Sequence, residues 1–265
     1  MTETFPDDLP LWSAPFGLAL LDTIGMRKNM NVLDIGSGNG FPMLELSERL
    51  GETCTVYGLD PMDEFVAVIS EKIAARKILN ARILKGVAEK LPFPDGFFGL
   101  IVSNNGLNNV QDQAASLSEC CRVASWDAQM VLTMNLPHTM IEFYEVFEET
   151  MNSLGMSDRI SRIRDHISEK RRSVEYWEDL IIRSGFAIRS VHIDGFKMKF
   201  SGGTAFLGHS FIRNAFSGAW NDLVPVEKRT LVFDTIRQKL DAVATEKGEL
   251  SISVPFVCFD CLKNK

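Results

Sequence analysis

The sequence predicts an α/β fold, a parallel sheet covered by helices on both faces, with two helical insertions in the second half of the chain. Three observations carry this. From Asn29 onward, apolar runs of strand length alternate with segments of helical periodicity; the first strand ends in a glycine-rich turn, VLDIGSGNG; and the second ends in an acid, Asp60.

Taken in order, Met30 to Ile35 is a short apolar run closed by glycines and forms the first strand. Phe41 to Leu50 is helical, with Met43, Leu44 and Leu50 as its apolar members and Gly51 as its stop. Thr53 to Leu59 is the second strand, Pro61 to Leu79 a helix opened by proline, and Ala81 to Leu84 the third strand. Phe97 to Ser103, the helix Gln113 to Val123, and Gln129 to Met134 complete the regular part. Residues 137–172 carry no strand signal and look helical. Ser173 then caps the helix VEYWEDLIIRS, closed by Gly185, and Phe186 to Phe200 reads as a long strand. Residues 201–248 leave the sheet through a glycine-rich turn, an aromatic helical segment from Phe206 to Phe216 and a long helix ending before Gly248. Leu250 to Cys261 is the last strand.

With 45% hydrophobic and 24% charged residues among 265, the chain has the balance of a folded protein with a sizeable core. No uncharged stretch reaches the ~18 apolar residues of a membrane span. The opening MTETFPDDLP carries acids and prolines where a secretory signal has a basic segment and an apolar run, so a cytoplasmic protein is expected. The formal net charge of −7 lies wholly in the first half: residues 1–136 hold 10 basic and 17 acidic side chains, and the remainder 18 of each. An acidic half repels a polyanion, which argues against nucleic acid as a partner. The five cysteines are odd in number and imply no disulfide framework. Cys258 and Cys261 form a C-x-x-C within a predicted strand, where residues three apart face opposite sides, so no metal site is expected.

Gly36, Gly38 and Gly40, with Ser37 and Asn39 between them, sit where such sheets bind ligands. A dinucleotide fingerprint would place its third glycine at Phe41. The acid Asp34, two residues before the first glycine, suits a ligand that carries an ammonium group. Taken with VYGLD ending at Asp60, GVAEKLPFPDG (Gly86 to Gly96) and SNNGLNNV (Ser103 to Val110), the region from Asn29 to Met134 resembles class I S-adenosylmethionine-dependent methyltransferases, in the branch of the ubiquinone/menaquinone C-methyltransferases.

The resemblance implies a Rossmann-like sheet of seven strands, mainly parallel with the last antiparallel, and helical insertions forming a cap. It divides the chain into an N-terminal lid or helix segment (1–28), a cofactor-binding core (29–136), a cap insertion (137–172), a core continuation (173–200), a second insertion or lid (201–248) and a last strand with tail (249–265). It implies S-adenosylmethionine as cofactor, S-adenosylhomocysteine as product and no metal. Asp34, Gly36, Ser37, Gly38, Asn39, Gly40 and Asn104 would face the methionine end. Asp60, taken as an exposed carboxylate, would accept both ribose hydroxyls, with Pro61 and Met62 beside it. Val87, Ala88 and Glu89 would border adenine, with Met62 and Leu91 covering its face; Val87 stands where relatives often carry Asp.

The acceptor side carries no comparable motif. His138, after the fifth strand, and His209, in FLGHSF, are candidate general bases for transfer to a small-molecule acceptor of apolar or aromatic character. Residues 201–220 read either as a mobile lid hinged at Gly202 and Gly203 or as packing of the cap. Trp12 and Phe16 read either as a patch closing the fold or as an N-terminal lid. Arg159, Arg162, Arg164, Lys170, Arg171 and Arg172 lie opposite an isoleucine stripe and read as a solvated face. Alternatives from other classes are an RNA methyltransferase, a nicotinamide-dependent dehydrogenase and a non-catalytic methyltransferase-like binding protein.

Overall fold

The structure is a computed structural model that describes residues 11–264. The segment MTETFPDDLP, which bears on the expected cytoplasmic location, lies outside the described residues. The strands are β1 (Asn31–Ile35), β2 (Thr55–Asp60), β3 (Ala81–Lys85), β4 (Phe98–Asn104), β5 (Ala124–Asn135), β6 (Phe186–Phe200) and β7 (Leu250–Lys263). The helices are α1 (Ala14–Thr23), α2 (Met43–Leu50), α3 (Asp63–Arg76), α4 (Gln113–Val123), α5 (Ile141–Ser153), α6 (Ile160–Lys170), α7 (Val174–Arg183), α8 (Gly203–Gly208), α9 (Ser210–Ala215), α10 (Ser217–Asp222) and α11 (Arg229–Lys247).

The seven strands form one sheet in the order β3-β2-β1-β4-β5-β7-β6. The pairings from β3 to β5 are parallel, and β7 runs antiparallel to β5 with Thr133 opposite Cys258. Seven strands, mainly parallel with the last antiparallel to its neighbour β5, agree with the sheet that the resemblance implies. Val32 to Ile35 of β1 are all buried, as expected of a strand covered on both faces. Helix ends follow local chemistry: Asp112 accepts from the Ala115 amide at 2.9 Å, and Ser173 from the Tyr176 amide at 3.3 Å.

Several boundaries differ from the sequence expectation by a few residues, and two of the differences have a visible cause. The helix expected from Pro61 starts at Asp63, because Met62 is extended and its amide is taken by the Asp60 side chain at 3.0 Å. β5 starts at Ala124 and not Gln129, since Ala124 pairs with Phe98 across a register irregularity that no alternation pattern displays.

The chain divides into two compact units. The first holds the residues up to Asn135, Ser173–Asp194 and those from Phe256 onward. Its core gathers Leu20, Leu21 and Ile24 of the N-terminal segment with Val32, Met43, Leu46, Val56, Ile69, Leu100 and Val131. Phe16 is fully buried, its ring 4.9 Å from that of Phe256.

The second unit holds Leu136–Arg172 and Gly195–Pro255. Its centre is aromatic: Phe143 and Trp220 stack at 4.0 Å, Phe206 lies 5.6 Å from Phe143, and the Trp220 indole donates to the Tyr144 hydroxyl at 3.0 Å. A Cβ on Gly203 would stand 2.6 Å from the Arg237 carbonyl, so α8 packs on α11 at a distance that excludes a side chain. Gly203, Phe206 and Trp220 are all buried within this unit.

Candidate functional site

Strand order reverses between β1 and β4, which opens a crevice at their carboxyl ends. The glycine turn lies there. Gly36, Gly38 and Gly40 have φ of +74°, +51° and +96°, a region in which L side chains are strained. The Gly36 and Ser37 amides donate to the Leu59 carbonyl at 2.8 and 3.2 Å, and the Lys72 ammonium holds the Asn39 carbonyl at 2.8 Å. A Cβ on Gly36 would meet Gly106 Cα at 2.9 Å, whereas one on Gly38 would meet nothing within 4 Å. The first glycine therefore serves the fold, and the second borders free space.

Two carboxylates flank the turn. Asp60 accepts the Gly38 amide at 2.9 Å through Oδ2 and the Met62 amide at 3.0 Å through Oδ1. It is 4% exposed, which corrects the expectation of an exposed carboxylate. The two amide bonds draw the side chain into the turn, and one lone-pair direction on each oxygen remains for a further donor.

Asp34 is fully buried, and neither of its carboxylate oxygens has a hydrogen-bond partner among the described residues. The Ser37 hydroxyl donates to the Asp34 main-chain oxygen instead, at 3.1 Å. Burial, reinforced by the Asp60 charge, pushes the Asp34 carboxyl up to about 7; the nearby Ser37 hydroxyl and Met43 amide oppose this without forming hydrogen bonds to it of ordinary geometry. An orphaned buried carboxylate is costly unless a cationic or donor group meets it.

Val87 and Met62 are exposed apolar side chains, whereas Ala88 and Leu91 are buried. Glu89 accepts the Gln111 and Asp112 amides at 2.8 and 3.1 Å and so joins the loop after β3 to the start of α4. That loop has a second anchor, absent from the sequence expectation. Arg122 donates to the Leu91 and Phe93 carbonyls at 3.0 and 2.8 Å, while its partner Glu119 accepts the Leu91 amide at 2.8 Å. The Glu-x-x-Arg spacing on α4 was its one visible signal.

Asn104 ends β4 with its side chain already used: it donates to the Ser13 carbonyl at 3.2 Å and accepts from Thr133 at 2.9 Å. Asn105 has φ +62°, in keeping with a turn-forming Asn, and Asn108 bonds to both Asn105 and Asn135. An open cavity of about 570 Å³, lined in part by Cys121, Arg122 and Trp126, contains none of the expected site residues.

His138 and His209 are both exposed and both belong to the second unit. The basic segment departs from a uniformly solvated face. Arg164 is paired with Glu148 at 2.7 Å, and Arg171 is only 3% exposed, because the chain leaves the helix there and turns the side chain onto Tyr144. The five cysteines are free, and no cluster of potential metal ligands occurs among the described residues.

Residues 33–132 match the family described as a methyltransferase domain. The demethylmenaquinone methyltransferase of Shouchella clausii is 36% identical over 122 residues, 46% of this chain and 52% of that enzyme. YcgJ of Bacillus subtilis, an uncharacterized methyltransferase, is 28% identical over 172 residues, 65% of this chain and 63% of its own length. The YcgJ crystal structure superposes with a TM-score of 0.64 at 20% identity, covering 95% of this chain and 99% of that one. Phosphoethanolamine N-methyltransferase 2 of Haemonchus contortus, solved in complex with S-adenosyl-L-methionine, superposes with a TM-score of 0.57 at 16% identity, covering 94% of this chain and 52% of that one. The structural likenesses show the fold. The match to the demethylmenaquinone methyltransferase spans about half that enzyme's length.

Proposed function

We propose that the chain is a class I methyltransferase that transfers a methyl group from S-adenosylmethionine to a small-molecule acceptor, a reading supported by the methyltransferase-domain match over residues 33–132. One observation carries the proposal: Asp34, a buried carboxylate with no hydrogen-bond partner among the described residues, stands beside a glycine turn whose middle glycine borders free space. The residues present fit the cofactor. Asp34 matches an ammonium group, Asp60 retains acceptor capacity for a ribose diol, and the exposed apolar Met62 and Val87 match a flat base.

S-adenosylmethionine, when bound, supplies a methyl group on a positively charged sulfur. The chain's own contribution is placement. Asp34 would hold the ammonium of the amino acid end, Asp60 would hold the sugar, and the loop pinned by Arg122 and Glu119 would border the base, a placement that would serve alignment of the acceptor with the methyl group. His138 and His209 are the proposed bases for a hydroxyl acceptor, and an already nucleophilic acceptor needs alignment alone.

The acceptor class is read as apolar or aromatic, supported by relatives that bear the name demethylmenaquinone methyltransferase. A cytoplasmic location belongs to the same proposal, supported by five cysteines without a disulfide. Among the described residues no helix is long and apolar enough to cross a membrane. The test is calorimetric titration of the chain with S-adenosylhomocysteine and, separately, with NADH, followed by transfer of labelled methyl from S-adenosylmethionine across an acceptor panel. Binding of S-adenosylhomocysteine with turnover is expected. NADH binding without S-adenosylhomocysteine binding overturns the proposal.

A further inference from the structure

The second unit contains a buried cation that no described residue neutralises. Arg171 follows α6, where its amide still donates to the Ile167 carbonyl at 2.9 Å while its backbone turns extended. The side chain turns inward, and its guanidinium carbon lies 5.0 Å from the centre of the Tyr144 ring. Nε and Nη1 are buried and find no acceptor among the described residues. Of the four acids on the neighbouring helix α5, Glu142 is engaged with Ser253, Glu148 with Arg164 and Glu149 with Lys239, and Glu145 is exposed.

The surroundings are aromatic and electropositive. Tyr144, whose hydroxyl already accepts the Trp220 indole, carries the guanidinium on its face, and the His166 ring lies 6.4 Å away. Burial, then the charges of Arg171 and Lys170, hold the His166 imidazole below its usual range. A buried ion without a counter-ion is strongly destabilising, and one cation–π contact offsets only part of that. A planar guanidinium with free N–H groups is matched best by a carboxylate, which accepts two parallel bonds.

We propose that Arg171 anchors a ligand site within the second unit and that the ligand is an aromatic acid, its carboxylate paired with the Arg171 guanidinium beside Tyr144. This ligand site stands apart from the methyltransferase reading above.

The test is calorimetric titration of the full chain with sodium benzoate and with benzamide, its neutral counterpart, each with and without saturating S-adenosylhomocysteine. Benzoate is expected to bind at least about tenfold more tightly than benzamide, since the neutral amide cannot meet the buried charge. Arg171→Met is expected to lose that preference, and Arg171→Lys to retain part of it, both with unchanged affinity for S-adenosylhomocysteine. Thermal melts of the wild type, stabilised by benzoate and not by benzamide, give the same discrimination without any variant. Equal binding of the two probes by the wild type, or an undiminished preference in Arg171→Met, overturns the inference. S-adenosylhomocysteine binding measured in the same samples tells its failure apart from failure of the methyltransferase reading.

Discussion

The Gly38 amide donates to the Asp60 carboxylate at 2.9 Å, so the turn after β1 and the acid that ends β2 form one unit. Asp60 also takes the Met62 amide at 3.0 Å. Removing this side chain therefore frees two loop amides together with the proposed ribose acceptor. Asp60→Ala is expected to weaken S-adenosylhomocysteine binding by about ten- to a hundred-fold or more, the equivalent of ~1.5–3 kcal/mol for bonds to a charged group. Circular dichroism should show the fold retained. Unchanged affinity in calorimetry removes the ribose assignment.

Gly38→Val tests the turn itself. At φ +51° a side chain costs roughly 1–2 kcal/mol of backbone strain, and valine would project into the space that Gly38 leaves open. A folded variant without cofactor affinity is the expected result. If the variant binds normally, that space is not where the ligand lies.

Asp34 makes cofactor binding depend on pH. With its carboxyl near 7, the ionised fraction falls from about nine-tenths at pH 8 to one-tenth at pH 6, so affinity for the ammonium-bearing ligand should fall about tenfold over that range. Stability of the ligand-free protein moves the opposite way. The native state holds the Asp34 proton from pH 3.8 to about 7 while the unfolded chain has released it, so this group's contribution is fully present below pH 3.8 and lost as pH rises through 7. The loss amounts to at most roughly 4 kcal/mol. Asp34→Asn should flatten both profiles; a variant that leaves both slopes intact removes Asp34 as their source.

Arg122 pins the loop after β3 through the Leu91 and Phe93 carbonyls and an ion pair with Asp95 at 2.9 Å. Arg122→Ala should cost ~1–3 kcal/mol and speed hydrogen exchange locally at residues 91–96. Exchange confined to its wild-type rate at those amides would show that the loop is held by other contacts.

The base assignment predicts that His138→Ala or His209→Ala lowers turnover ~10²–10⁴-fold at unchanged cofactor affinity, once an acceptor is in hand. Both side chains are exposed, so neither substitution should disturb the fold. Full activity with an unaltered pH profile in both variants leaves alignment as the chain's contribution.

What the sequence determined by itself is local. The alternation of strands and helices, the Ser173 cap and the left-handed glycines of the turn follow from side-chain period and backbone dihedrals, which a short window of residues specifies. Quantities that join distant residues were decided by the tertiary structure. The placement of β7 between β5 and β6, the burial of Asp60 under two amides, the anchoring of the loop by Arg122 and the inward turn of Arg171 all require partners far away in the chain. Arg171 shows the reason most directly: in sequence it belongs to a run of charges, and whether water or a tyrosine ring surrounds its guanidinium depends on desolvation by α5, which no periodicity within α6 encodes.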